Sequence, residues 1–214
     1  MPVVVTPLSS RTLGDLKTRI ADELARADLS PQIALAIDDA IAEAMTHRFW
    51  FMETRGLTLP LTAGTATYQT SDIATLIEID RLALIVNGQR YTLRLMNDDE
   101  LDRLNDGTPP KGQPYAYARY GDQLTFYPAP QQSYTAMIDG VTAGDALNGD
   151  TDSNIWTTEG ERYIRAIAKR ELLAHVIRDP QAALVQDNLA VRYRQELEEQ
   201  THARTATNEM ACCG

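Results

Sequence analysis

Apolar residues recur with two different spacings along this chain, and the change between the spacings constrains the fold most strongly. Near both ends they lie three or four residues apart, which is typical of amphipathic helices. Between residue 57 and about residue 145 they alternate with polar residues, which is typical of strands. The pattern predicts an α+β fold: an antiparallel bundle of about four helices, an inserted small antiparallel β domain, and an extended C-terminal helix and tail.

The predicted domains follow these changes of pattern. At 214 residues the chain is long enough to bury a sizeable core without disulfides or metal ions. The helical domain is discontinuous, because the β-rich stretch interrupts it. The predicted boundaries are residues 1–11 for an N-terminal arm, 12–56 and 155–204 for the helical domain, 57–145 for the inserted β-rich domain, 146–154 for a polar linker and 205–214 for a C-terminal tail.

Local signals mark where the first two helices begin and end. Thr12 followed by Asp15 predicts a capping box at the start of the first helix, which we expect to extend to about Ala27. Ser30 is a good N-cap for the second helix, because its hydroxyl can accept a backbone N–H. Gly56 is a suitable residue to end that helix.

The sequence HRFWFMETR, residues 47–55, concentrates aromatic residues at the predicted C-terminal end of the second helix. Successive helical residues are about 100° apart, so three adjacent rings cannot all face one core. Phe49 continues the apolar stripe, and we assign Phe49 and Met52 to the core. For Trp50 and Phe51 three partners stay open: the inserted β domain, an adjacent subunit, or the core of the same chain.

Further signals lie in the middle and the C-terminal part. Asn87-Gly88 between two strand-like runs predicts a β-hairpin, and a short helix should follow from residue 97 or 98 to Gly107. Thr158 and Glu161 have the spacing of a capping box for a third helix, which Asp179-Pro180 should end. The apolar face of the fourth helix thins after Leu197, so we expect the residues beyond it to be exposed in an isolated subunit.

Composition and motifs argue against several kinds of function. The formal net charge is −10, which disfavours nucleic-acid binding through a basic face. No stretch of about 18 apolar residues is present, so we expect no membrane span. No Gly-rich phosphate loop or nucleophile elbow appears, so we predict no cofactor.

Metal-binding and catalytic residues are not predicted either. The Asp-rich segment 142–154 resembles a calcium loop in composition only, and Cys212-Cys213 cannot complete a zinc site. The three histidines are isolated on separate predicted helices. The runs of adjacent carboxylates fall where solvated helix faces or caps are expected. We therefore predict no catalytic, cofactor-binding or metal-binding residues and a protein that is not an enzyme.

Three stretches carry a family resemblance. They are TLGDLKTRIADELARADLSPQIALAIDDAIAEAMTHRFWFMETR, YARYGDQLTFYPAPQQSYTAMIDG and SNIWTTEGERYIRAIAKRELL. In this order and spacing, over about residues 12–200, they resemble the head-to-tail adaptor proteins of podovirus-type tailed phages, also called tail accessory factors. The N-terminal arm and the terminal Cys-Cys-Gly are not features of the family pattern.

The resemblance implies a structural role in the virion. Such proteins form a ring of about twelve copies beneath the portal protein, extend the channel through which double-stranded DNA passes without specific binding, and dock the next tail component. We expect the excess of acidic residues to face that channel. The family's C-terminal extension lies along the portal, which maps here onto residues 193–214. The implied portal contacts are Tyr193, Leu197, His202 and Arg204, and the expected inter-subunit contacts are Trp50 and Phe51.

Two other functions remain open from the residues themselves. A tail-associated peptidoglycan hydrolase would need two carboxylates across a cleft, at least one of them with a raised pKa. A glycan- or protein-binding module would use the tyrosines of the β domain as a platform. Those tyrosines are Tyr115, Tyr117, Tyr120, Tyr127 and Tyr134.

Overall fold

The chain leaves one unit of structure after Met52 and returns to it at Gly144. The computed structural model describes residues 11–73, 75–104 and 110–211, with side chains as far as residue 204. It divides into a helical unit, residues 1–52 and 144–214, and a β unit, residues 53–143. Most of the N-terminal arm, the predicted helix end at Gly107 and the Cys212-Cys213 pair lie outside the described residues.

The predicted α+β class is confirmed, but the description as a bundle of about four helices is not. The described residues contain six α-helices, and the last of them is by far the longest. One helix lies in the β unit and a π-helical stretch follows the fifth. Their bounds are α1 Leu13–Leu24, α2 Ser30–Ala44, α3 Asp98–Leu104, α4 Ile155–Thr158, α5 Glu161–Glu171, the π-helical stretch Leu172–Ile177 and α6 Pro180–Ala211.

The first helix begins as its sequence predicts. The Asp15 N–H donates to the Thr12 hydroxyl at 3.1 Å, and the Thr12 N–H donates to the Asp15 carboxylate at 3.0 Å. This reciprocal box satisfies two donors that a helix start leaves without intrahelical partners. In α2, by contrast, Leu29 is the N-cap and has no side-chain cap bond, so Ser30 is the first helical residue rather than the cap.

The second helix ends at Ala44, twelve residues before the predicted stop at Gly56. Its last turn tightens into i→i+3 bonds, and the Thr46 hydroxyl donates to the Glu43 carbonyl at 2.7 Å. The aromatic block then forms a 3₁₀ turn, Trp50–Met52, that leads directly into a strand. Residues 46–51 include β-branched and aromatic side chains of modest helix propensity, so tertiary packing overrides the predicted helix. Gly56 lies in that strand with φ +78°, beside a β-bulge.

The predicted third helix is divided into α4, α5 and the π-helical stretch. Its capping box is formed by Asn154 and Thr157, not by Thr158 and Glu161. The Thr158 hydroxyl donates instead to the Asn154 carbonyl at 2.9 Å. The Glu161 carboxylate is drawn away from the helix start by three arginines, which is the physical reason why the prediction was wrong.

Glu161 ties α1 to α5 from a buried position, with 2% of its side chain exposed. Its carboxylate lies 2.6 Å from Arg11, 3.1 Å from Arg19 and 3.5 Å from Arg165. A buried carboxylate is costly unless charged donors surround it. These guanidinium groups offset that cost and attach the start of α1 to the first turn of α5.

The β unit contains two four-stranded sheets and one two-stranded sheet. The strand orders are β1-β10-β3-β4, β2-β8-β7-β5 and β6-β9; the β5–β7 and β6–β9 pairs are parallel and the others antiparallel. The strands are β1 Glu53–Leu61, β2 Thr67–Gln69, β3 Leu76–Val86, β4 Gln89–Thr92, β5 Arg94–Leu95, β6 Lys111–Gly112, β7 Ala116–Tyr120, β8 Gln123–Tyr127, β9 Ala129–Pro130 and β10 Tyr134–Thr142.

The predicted hairpin is confirmed at Asn87-Gly88. Val86 pairs with Gln89, and the two turn residues have φ values of +51° and +76°, as a type I′ turn requires. The core of the β unit lies between the two larger sheets. It consists mainly of residues from both, among them Leu59, Leu61, Leu82, Leu84, Leu124, Phe126, Ala136 and Ile138.

A buried aspartate holds the bulged part of the first sheet. Asp139 on β10 accepts hydrogen bonds from Arg81 at 2.7 and 3.1 Å, from Arg90 at 3.3 Å, and from the Gly56 N–H at 3.0 Å. Burial raises the pKa of this carboxyl, but the hydrogen bonds from Arg81 and Gly56 and the positive charges of both arginines outweigh burial and lower it. The carboxylate therefore joins β1, β3, β4 and β10.

We expect Asp139→Asn to lower the free energy of unfolding at pH 7 by about 2 kcal/mol, because two guanidinium groups lose their charged acceptor. The folded-state pKa of Asp139 is below the ordinary 3.8, so its contribution is present above that value and is lost as the pH falls through the folded-state pKa. The difference between variant and wild type should therefore shrink between pH 7 and pH 2. Urea unfolding at both pH values measures it.

The matched control is Asp122→Asn in the Gly121-Asp122 turn of the same unit, since Asp122 is exposed. This variant should remain within about 0.5 kcal/mol of wild type at either pH. An equal loss in the two variants would show that Asp139 has no special role.

Candidate functional site

Helix α6 presents apolar residues on two sides. Ala183, Ala190 and Leu197, spaced by seven residues, are buried against the helical unit. Leu184, Val185 and Val191 are 61%, 56% and 41% exposed. Large apolar side chains grouped on the exposed side of a helix mark a surface that a partner covers. The outward side of α6 is therefore a candidate assembly surface.

The C-terminal part of α6 is attached to the aromatic block. The Trp50 N–H donates to the Thr201 hydroxyl at 3.1 Å, and the Arg204 guanidinium carbon lies 3.4 Å from the centre of the Trp50 ring. A guanidinium over an indole face is a cation–π contact. The expectation that the residues beyond Leu197 are exposed is therefore wrong at Thr201, which is half-buried, whereas Arg204 is exposed although it contacts Trp50.

The other aromatic rings of the block form a core cluster. Phe51 stacks on Phe49 with 5.4 Å between ring centres and meets Trp156 edge-on at 5.4 Å. Phe49 also meets Tyr163 edge-on at 5.9 Å. Phe49 and Met52 are buried, as predicted, and Phe51 is only 9% exposed. Of the two residues with open partners, Phe51 thus faces the core of the helical unit, and Trp50 is half-buried beneath Arg204.

The four residues with an implied portal contact lie in three settings. Tyr193 and Leu197 line a groove of about 240 Å³, Arg204 covers Trp50, and His202 is exposed. The structure therefore does not bring all four into one site. The remaining residues that line the groove are Arg11, Thr158, Glu159, Arg162, Tyr163, Glu196 and Gln200.

The Asp-rich segment has a structural role at the start of α1. The carbonyls of Asp152 and Asp150 accept the N–H groups of Leu13 and Gly14 at 2.8 and 2.9 Å. The Asp152 carboxylate accepts backbone N–H groups within its own loop. Among the residues that the structure describes, no group of three or more His, Cys, Asp or Glu side chains could hold a metal ion.

Among the described residues, the carboxylates lie in separate places: Glu159 and Glu196 line the groove, and the buried ones lie in different units. Within the described ranges, Asp139 and Glu161 are the two buried carboxylates, and arginines pair with both. Tyr117 and Tyr134 are buried, whereas Tyr115 and Tyr120 are exposed, so the predicted tyrosine platform is divided. No helix in the described part is long and apolar enough to cross a membrane.

Comparison with known proteins assigns the class. The match places the chain among the structural adaptor proteins of phages, which supports a non-enzymatic role and a location in the virion. The family model of the SU10 adaptor protein matches residues 11–211, and the chain belongs to this family. No curated protein matches the chain.

Sequence reasoning missed several residues of the candidate site. Leu184, Val185 and Val191 were not singled out, although a helical wheel of α6 places them opposite its buried stripe. The contact between Trp50 and Arg204 leaves no signal in the sequence, because the two residues are far apart in the chain. The roles of Asp139 and Glu161 were missed for the same reason.

We expect Arg204→Ala to lower the free energy of unfolding by about 1 kcal/mol, the usual strength of a partly buried cation–π contact. Hydrogen exchange of the α6 amides near Thr201 should become faster. Arg103→Ala is the control, because Arg103 is exposed and lies on α3 in the β unit. If both variants exchange alike near Thr201, the contact with Trp50 does not anchor the helix.

Proposed function

We propose that this protein is a head-to-tail adaptor that forms a ring of about twelve copies beneath the portal, extends the DNA channel and docks the next tail component. The observation that carries the proposal is the outward side of α6. Three large apolar side chains are exposed there on a single helix of a protein of the adaptor family. Grouped exposed apolar residues mark surfaces that another protein covers.

The portal contact is proposed for the second half of α6. His202 is exposed, and Arg204 is exposed while its guanidinium lies over Trp50, so both side chains are accessible to a partner. Tyr193 and Leu197 line the groove, and a side chain of the portal protein would bind there. Trp50 is the proposed inter-subunit residue of the aromatic block. Phe51 supports it from the buried side, with 5.7 Å between their ring centres.

DNA passage is proposed to depend on the acidic character of the chain. A formal net charge of −10 repels phosphate, so DNA would slide through the ring without specific binding. We propose that an excess of Asp and Glu faces the channel. A ring structure with a positive lumen would overturn this part of the proposal.

The test is negative-stain imaging of the protein mixed with the portal protein from the same genome, beside each alone. We expect a portal ring lengthened by a second ring. A chain that ends at Gln200 is the informative variant, since it keeps the outward apolar residues of α6 and lacks His202 and Arg204. It should leave the portal bare. A bare portal with the wild-type chain would overturn the proposed function.

A further inference from the structure

The outward side of the first half of α6 has the composition of an interface centre. At about 100° per residue its exposed positions from Gln181 to Gln195 fall within an arc of about 120°. Across these residues, all of which the structure describes, only one is charged, although charged residues make up 23% of the chain. Depletion of charge is typical of interface centres. The arc contains Gln181, Leu184, Val185, Asn188, Val191, Arg192 and Gln195.

Helix α2 exposes a second surface. Its charged residues are negative, whereas the charged residue of the α6 surface is Arg192. Leu35 is 65% exposed at its centre, with Asp38 and Asp39 exposed beside it. Neither aspartate has an ion pair within the described residues, and the whole helix contains no Lys or Arg. The buried side of α2 carries Ile33 and Ile37. The α2 surface is therefore apolar at its centre and negative at its edge.

The two surfaces are complementary to each other, and the α2 surface is not complementary to itself. Two α2 surfaces would bring aspartates together, and juxtaposed like charges are unfavourable. An α6 surface against an α2 surface covers apolar residues on both and brings Arg192 to Asp38 and Asp39. The pair between Arg192 and Glu196 is exposed and weak, so it does not prevent this.

From this complementarity we infer that the α6 surface of one copy docks on the α2 surface of the next copy. The inference rests on the proposed ring and names the faces that close it. A contact between two different faces is heterologous, and repetition of a heterologous contact generates a ring when the rotation closes. Both helices pack on α5 and belong to one unit, so a single helical unit carries both halves of the contact.

Three matched leucines allow a direct test. Leu35 on α2, Leu184 on α6 and Leu95 in the β unit are 65%, 61% and 62% exposed, so Leu→Glu at each should leave the fold intact. Circular dichroism melts verify this. We expect Leu35→Glu and Leu184→Glu each to reduce rings at least tenfold, with the portal present and without it. Leu95→Glu should form rings as the wild type does.

Mixing the two defective variants identifies the pairing. The Leu35→Glu chain keeps an intact α6 surface and the Leu184→Glu chain keeps an intact α2 surface, so together they should form a heterodimer. Neither should dimerise alone. Native mass spectrometry separates these species when one variant carries a mass tag.

The outcomes separate the inference from the proposed function. If either variant forms rings as the wild type does, or if the mixture forms no heterodimer, the pairing of α6 with α2 is overturned. The proposed ring itself is not affected by that result. Loss of portal binding with rings intact would assign the α6 surface to the portal and also overturn the pairing. A wild-type chain that forms no ring, even with the portal, would overturn both.

Discussion

The contact between Phe51 and Trp156 organises the helical unit. The chain leaves this unit beside Phe51 and returns to it shortly before Trp156, and the two rings meet edge-on at 5.4 Å. Burial of a large apolar side chain contributes about 2–3 kcal/mol, so this cluster stabilises the helical unit near the point where the chain leaves it. It also orients Trp50, whose backbone N–H and indole ring attach the end of α6. The position of the proposed portal-binding segment therefore depends on core packing.

Arginine–carboxylate contacts complete the framework in this acidic protein. Arg170 on α5 lies 2.5 and 3.1 Å from the two carboxylate oxygens of Glu43 on α2 and 3.3 Å from Asp187 of α6. Its hydrogen bond to Glu43 raises the pKa of the guanidinium. Glu161 connects α1 to α5 in the same way. Ion pairs fix the relative position of the groups that they join, although partly exposed pairs contribute only about 0–1 kcal/mol of net free energy each. Here they hold α2 and α6 against α5 while the outward sides of both helices stay exposed.

A structural adaptor needs surfaces rather than a cleft, and the described residues agree with that requirement. The two buried carboxylates form ion pairs with arginines. The large exposed apolar residues of the helical unit are Leu35 on α2, Val176 just before α6, and Leu184, Val185 and Val191 on α6. Function in such a protein depends on which faces a subunit offers to its neighbours. Membership of the SU10 adaptor family indicates the role of the protein, and the burial and charge of its surface residues indicate which surfaces can contact other subunits.

The sequence by itself determined the features that depend on neighbouring residues. Periodicity set the α+β class, Asn87-Gly88 set the hairpin, and Thr12 with Asp15 set the first cap, because each acts within a few residues. Only the tertiary structure decided the conformation of the aromatic block and the ion pairs of Glu161. Local helix propensity after Ala44 is weak. Trp156 lies more than 100 residues from Phe51 in the chain, and Arg11 and Arg19 lie more than 100 residues from Glu161. Packing and ion pairing across that separation outweigh local preference, and no local pattern records them.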